Sequence, residues 1–167
     1  MENINHGRIS GSTLILYQPR LSEMDFRRRL IGDEKTMAYN HAYGGTISFP
    51  EECWNGWYQR WFSDPSGKRF YRYLKDTVRD QFVGEVSYHF DEARDYYICD
   101  VIVLAYERGN GFGRQGLLLL CDAARANGIP CLYDDIAIDN PSVELFLSCG
   151  FEEVYRNQEY ILVRKSL

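Results

Sequence analysis

The chain has 167 residues and five cysteines, but no C-x-x-C pair. Cys53, Cys99, Cys121, Cys131 and Cys149 are odd in number and widely spaced, which argues against a disulfide framework or a zinc site. They read as reduced, mostly buried thiols of a cytoplasmic protein. No stretch approaches the ~20 apolar residues of a membrane span. The polar opening MENINHGRIS does not read as a secretory leader. Basic residues are in the minority, 19 Lys and Arg against 24 Asp and Glu, for a net charge of −5. That balance argues against nucleic acid as a partner and is compatible with a cationic ligand. Repeats, low-complexity tracts and an obvious linker are also missing. One domain over residues 1–167 is therefore expected, long enough for a substantial core.

Aromatic residues are plentiful, with 13 Tyr, 9 Phe and 3 Trp. Residues 12–17 (STLILY) read as a first strand ended by Pro19. Ser22 with Asp25 three residues on is a variant capping signal for a helix to about Ile31, stopped by Gly32. A second short helix is expected over 33–40, and Gly44-Gly45 breaks the chain. Ser48-Phe-Pro-Glu51 has the form of a capping box before a helix carrying Trp54, Trp57, Tyr58 and Trp61 on one face. That stripe suits core packing better than an aromatic wall for a cationic amine. Strand-like runs follow at 68–75, 81–90 and 96–104, joined by short polar connections as in an antiparallel meander. Next come a helix over 113–127, a strand over 131–138 and a short helix capped by Asn140-Pro141 and ended by Gly150. Strands at 152–156 and 159–165 close the chain as a hairpin. The order predicts an α/β (α+β) fold: one mixed, mostly antiparallel sheet of about seven strands, flanked by about four helices, with a central β-α-β crossover.

The most informative segment is Val101–Gly116, VIVLAYERGNGFGRQG, where a β-branched run meets glycines at 109, 111 and 113 and then a long apolar helix pattern. Glycines allow close backbone approach, and the free N–H groups and positive dipole end of a helix start attract a phosphate. Three phosphate loops compete. A Walker A loop fails because the chain has no Gly-Lys-Ser/Thr. The dinucleotide fingerprint G-x-G-x-x-G is literally present at Gly111–Gly116, with Asp134 and Asp135 about where a ribose-binding acid would sit. Yet Leu104 lies seven residues ahead of Gly111, the upstream strands form a meander, and only about 50 residues follow. A dinucleotide-dependent oxidoreductase therefore ranks below the third reading.

Arg108-Gly-Asn-Gly111-Phe-Gly113 matches R/Q-x-x-G-x-G/A, and so resembles the pyrophosphate loop of the acetyl-CoA-dependent GNAT N-acetyltransferases. Val103–Arg108 resembles that family's V-x-P-x-x-R approach, with Ala105 in place of proline. Asn140–Phe151 resembles its second signature, N-x-x-[SA]-x-x-[LF]-Y-x-x-x-G-F, 29 residues after Gly111 and one residue shorter than that pattern. Two ordered motifs are far more specific than either alone. The resemblance covers residues 80–165 firmly and 1–79 loosely.

The resemblance implies transfer of acetyl from acetyl-CoA, with no metal, to a primary amine of a small molecule or peptide. In that family the strands carrying the motifs splay apart around the pantetheine arm. Backbone at Val103 and Leu104 would pair with the arm. Amides from Arg108 through Gly109, Asn110, Gly111, Phe112 and Gly113 would hold the pyrophosphate, with a charge-assisted contact from the Arg108 side chain. Asn140 and Phe146 would flank the arm. An ammonium acceptor with pKa ~10.4 needs a base or water relay to deprotonate it. The family's usual Glu corresponds to Cys99, and its usual acid, a Tyr, corresponds to Phe146. These departures leave a second reading open, a catalytically degenerate CoA-binding sensor or structural module. Base candidates are Asp100, in an otherwise apolar strand, and Glu85, which would act through water. Asp135 or its neighbour Asp134 are candidates for amine recognition. His41, a histidine in the variable segment before Gly44-Gly45, is a weaker candidate. Cys149 reads as a buried small residue. The acceptor's identity and a homodimer both stay open at this level.

Overall fold

A computed structural model describes residues 13–167. The seven strands are β1 (Leu14–Tyr17), β2 (Arg69–Asp76), β3 (Gln81–Asp91), β4 (Tyr96–Val103), β5 (Cys131–Ala137), β6 (Glu152–Arg156) and β7 (Tyr160–Ser166). They form one sheet in the order β1-β2-β3-β4-β5-β7-β6. All neighbours are antiparallel except β4 and β5. The helices are α1 (Met24–Gly32), α2 (Trp54–Phe62), α3 (Phe112–Ala126) and α4 (Ser142–Ser148). This is the mixed, mostly antiparallel sheet with one β-α-β crossover that the sequence predicts. No described helix is long and apolar enough to cross a membrane.

Strand alternation divides the core into two layers. Val86, Tyr88, Cys99 and Leu132 pack with Leu117, Leu120 and Phe146 of α3 and α4 on one face. Tyr71, Tyr73 and Leu104 pack with Met24, Leu30, Met37 and Phe49 on the other, where α1 and α2 lie. Two glycines permit close approach. A Cβ on Gly84 would lie 2.2 Å from the Ile102 carbonyl oxygen, and one on Gly116 would lie 2.7 Å from Leu74 Cδ1. The second clearance lets α3 settle over the Leu74 side chain.

Local differences from the expected elements have physical causes. The stretch expected as a helix over 33–40 instead turns and becomes a 3₁₀ segment, Ala38–Tyr43, that ends on Gly44 with φ +104°. The Ser48–Glu51 capping box does not form. Pro50 flanks a single 3₁₀ turn, Glu51–Cys53, with no side-chain cap, and α2 starts only at Trp54. Ser22 lies inside a 3₁₀ turn, where Glu23 rather than Ser22 serves the helix entrance by accepting the Arg20 amide at 2.8 Å. Asp25 is bound to Arg29 at 2.9 Å, among its i+3 and i+4 arginines. Of the cysteines, Cys99, Cys121 and Cys149 are buried, Cys131 is half-buried and Cys53 is exposed.

Candidate active site

The site follows from one feature of the sheet. β4 and β5 pair only at Tyr97–Leu132 and Ile98–Tyr133. Beyond Ile98 the two strands part, because each keeps its own partner on the far side. β4 follows β3 to Gly84–Val103, and β5 follows β7 to Ala137–Tyr160. Two cavities open in and beside this gap. One, of about 450 Å³, is lined by Val101, Val103, Arg108, the glycine loop, Asn140 and Leu145. The other, of about 310 Å³, is lined by Asp100, Asp134, Asp135, Tyr43 and Phe146. Tyr39, Val101, Asn140 and Ser142 line both, so the cavities meet.

The larger cavity ends on the start of α3. Gly109 and Gly111 have φ of +83° and +79°, in the left-handed region. Gly111 is the residue before the helix, so the amides of its first turn lack intrahelical partners and converge on the loop. Gly113 has no Cβ where one would sit 3.2 Å from Leu145 Cδ2, which keeps the floor open. Such a cradle of unopposed N–H groups fits a pyrophosphate. Asn110 braces the loop through Nδ2 to the Glu107 carbonyl at 3.0 Å. Glu107 itself is buried and clamped by Arg79 through two contacts of 3.0 and 2.9 Å. Arg79 in turn holds Asp76 at 2.6 Å, which ties the loop to the β2–β3 turn.

Changing Gly111 to Val should weaken acetyl-CoA binding about 5- to 150-fold by calorimetry. A β-branched residue held at φ +79° carries roughly 1–3 kcal/mol of strain, and the loop must relax out of its binding shape to release it.

Two backbone and side-chain assignments change. The Leu104 amide donates to the Val83 carbonyl at 3.0 Å, so it belongs to the sheet and is not free to pair with a ligand in the gap. By strand alternation Val101 and Val103 are the residues of β4 whose backbone groups face the gap. The Arg108 side chain donates to the Thr36 carbonyl at 2.7 Å, and Thr36 Oγ1 accepts the Ala105 amide at 3.0 Å. Arg108 therefore lines the cavity while fastening the segment before the 3₁₀ turn to the loop. Thr36, fully buried, carried no sequence signal beyond a polar residue in a variable region. Asn140 Oδ1 accepts the Ser142 amide at 2.9 Å in the turn that leads into α4. Phe146 is buried edge-on against Phe151 at 5.0 Å and lines the acidic cavity.

The acidic cavity gathers three of the predicted carboxylates. Asp100 lines this cavity with its side chain exposed. Desolvation, with the Glu85 and Asp135 carboxylates behind it, pushes its pKa up to about 6. Asp134 is held well above the usual carboxylate range by burial and by Asp100 and Asp135. Asp135 is bridged by Arg94 at 3.3 Å.

Other candidates lie elsewhere. Glu85 is buried beneath the site, with Arg27 on one carboxylate oxygen and the Tyr71 hydroxyl on the other, and it lines neither cavity. Cys99 faces α3, and burial drives its thiol pKa far up. It takes no part as a base. His41 is exposed, and its Nε2 lies 3.2 Å from Asp139 in the turn after β5. The Trp stripe is half-buried and packs against the core. Trp57 meets Tyr71 edge-on at 4.8 Å, and the cation over its ring, at 4.6 Å, is the chain's own Arg27. Cys149 is buried, and its carbonyl accepts Lys165 at 2.6 Å. The residue that sequence reasoning passed over is Tyr39. Its segment was singled out for the neighbouring histidine.

The model of the acetyltransferase (GNAT) family matches residues 31–151. The chain belongs to this family. Solved structures agree on the fold. A spermidine N-acetyltransferase from Vibrio cholerae, in complex with CoA and spermine, superposes with a TM-score of 0.76 at 17% identity, covering 92% of this chain and 95% of that one. A domain from Methanocaldococcus jannaschii gives 0.72 at 18% identity, with 92% and 98% covered. An N-acetyltransferase from Staphylococcus aureus gives 0.71 at 13% identity, also with 92% and 98% covered. No curated protein matches the sequence significantly. The protein is an N-acetyltransferase of the GNAT fold, and the family match, rather than a dinucleotide fold, accounts for the glycine loop.

Proposed function

We propose that this GNAT enzyme transfers the acetyl group of acetyl-CoA to a primary amine of a small, cationic acceptor. The observation that carries this is the meeting of two unlike cavities in the β4–β5 gap. One ends on a glycine-lined helix start, and the other on three carboxylates. The amides of Gly109–Gly113 and the first turn of α3 hold the pyrophosphate. The backbone of Val101 and Val103 holds the arm and the thioester carbonyl, an oxyanion-type role. Asp134 and Asp135 line the path by which a cation enters, with Arg94 bridging Asp135.

Asp100 takes the proton. An ammonium of pKa ~10.4 must arrive at the thioester as a neutral amine. A carboxylate of the acidic cavity, next in the chain to Val101 where the two cavities meet, removes its proton as the nitrogen attacks the carbonyl. Holding both reactants in one gap makes the attack effectively intramolecular. That the Vibrio cholerae structure holds CoA and spermine on the same fold supports a cationic acceptor.

Thiol release from acetyl-CoA, measured against a panel of diamines, polyamines, monoamines and amino-terminal peptides, tests the proposal. Di- and polyamines are expected to give the highest kcat/KM, because a second ammonium can sit against Asp134 and Asp135. A preference for neutral or anionic amines would refute the cationic acceptor. Thermal shift with CoA but no turnover on any amine would favour the binding-module reading instead.

A further inference from the structure

The second motif lacks its usual acid, since Phe146 stands where the family carries Tyr. Something else must assist the sulfur as it leaves. A thiolate expelled into a half-enclosed gap needs a hydrogen-bond donor at once and a proton soon after. Among the described residues that line both cavities, Val101, Asn140, Ser142 and Tyr39, the choice narrows quickly. Val101 has no polar side chain. Asn140 Oδ1 is committed to the Ser142 amide, and its amide nitrogen has no proton to give up. Ser142 sits at the start of α4, with a hydroxyl far less acidic than a phenol.

Tyr39 has the right chemistry and the right place. It comes from the 3₁₀ segment Ala38–Tyr43, and that segment is fastened over the gap from both ends. Upstream, Thr36 binds Ala105 and Arg108. Downstream, Asn40 Nδ2 donates to the Gly45 carbonyl at 2.8 Å, and His41 reaches Asp139. The Tyr39 ring packs partly into the core beneath it, while its hydroxyl makes only a 3.9 Å contact with the Met37 sulfur. A hydroxyl with so weak a partner is free to turn to a stronger acceptor.

We propose that Tyr39 donates the proton to the departing CoA sulfur, standing in from a different element for the phenol missing at position 146. The proposal rests on the acetyl-transfer reading above. Asp100 takes one proton from the ammonium, and the neutral nitrogen forms its bond to the thioester carbon. The tetrahedral intermediate then collapses and the C–S bond breaks. Tyr39 gives its proton to sulfur as it receives the one held on Asp100. The nitrogen loses its second proton to solvent. The products are the amide, CoA thiol and one released proton, and Tyr39 and Asp100 return to their starting states. Burial and the carboxylates of Asp100, Glu85 and Asp134 hold the Tyr39 phenol above the ordinary tyrosine range. It therefore stays protonated at working pH, and it passes its proton on only as another arrives.

The test is Tyr39→Phe, which keeps the ring and removes the hydroxyl. Binding of CoA by calorimetry and thiol release with the best amine are measured side by side. Expected are a CoA Kd within twofold of wild type and a kcat lower by about 10²-fold, the low end of a positioned proton donor. Adding Phe146→Tyr to Tyr39→Phe should return at least part of kcat, because it restores a phenol to the same cavity. Two results would overturn the proposal. One is turnover by Tyr39→Phe within twofold of wild type. The other is a fall in kcat matched by an equal loss of CoA affinity and melting temperature, which marks Tyr39 as structural. If the wild type itself turns over no amine, the failure lies with acetyl transfer and takes the Tyr39 role with it.

Discussion

Replacing Asp100 with Asn is expected to lower kcat by about 10²- to 10⁴-fold while leaving acetyl-CoA affinity within a factor of two. The carboxamide keeps the shape and polarity of the side chain but cannot take a proton. In the proposed arrangement CoA is held by the glycine loop and by strand backbone rather than by this side chain, so its binding is spared. The pH profile gives a second, independent reading. The wild-type Asp100 titrates near 6 because desolvation and the neighbouring carboxylates disfavour its charge. Only the ionised form accepts a proton. Wild-type kcat/KM should therefore fall tenfold per pH unit below about pH 6 and level off above it. That limb should vanish in Asp100→Asn. A bound cationic acceptor adds positive charge beside Asp100 and pulls its titration down. The limb in kcat should accordingly lie at lower pH than the limb in kcat/KM. Steady-state rates from pH 4.5 to 8 would show this, and a limb that persists in Asp100→Asn would remove Asp100 from the base role.

The legible parts of this protein were those whose physics is local. A glycine loop followed by an apolar helix signals its own backbone conformation. Gly109 and Gly111 have the positive φ that only such a reading explains. The meander was equally legible, because alternation and short polar turns fix antiparallel neighbours. The parting of β4 and β5 needed the resemblance, since nothing local to 96–104 or 131–138 says that the strands separate after two pairs. Side chains that act across the sheet were the least legible. Leu104 read as a ligand-facing backbone until its amide met Val83, a contact set by the β3–β4 register. Arg108 reads as a phosphate ligand, and what the sequence does not show is that one of its nitrogens donates to Thr36, 72 positions away, while the side chain lines the cavity. Tyr39 was hidden for the same reason. Its role depends on what Thr36, Asn40 and His41 fasten it to, and no spacing in the sequence reports that.

Glu85 shows how a buried partner reverses a reading. In the sequence it is a carboxylate on the middle strand of a meander, a fair base candidate. In the fold its two oxygens are taken by Arg27 and Tyr71, with side-chain exposures of 15% for Arg27 and 7% for Glu85. The Arg27 guanidinium also sits over Phe49, Trp57 and Tyr71, at 5.3, 4.6 and 5.3 Å from the ring centres. The cluster thus locks α1 and α2 onto the sheet through a cation that cannot leave without stranding an anion. Arg27→Ala leaves Glu85 charged, buried and unpaired, which should cost about 3–5 kcal/mol. At about 2–4 °C per kcal/mol for a chain of this size, melting should fall by roughly 6–20 °C. Arg27→Met with Glu85→Gln leaves no buried charge and still offers Tyr71 an acceptor, so it should recover at least half of that loss. Activity in this double variant separates the two roles of Glu85. As a base its removal would cost as much as Asp100→Asn. As the anion behind Asp100 it merely raises Asp100's pKa, so its removal should keep kcat within about tenfold. The acid limb of kcat/KM then moves to lower pH, because the Glu85 charge that disfavoured ionised Asp100 acts more strongly on it than the Arg27 charge that favoured it, and both are gone.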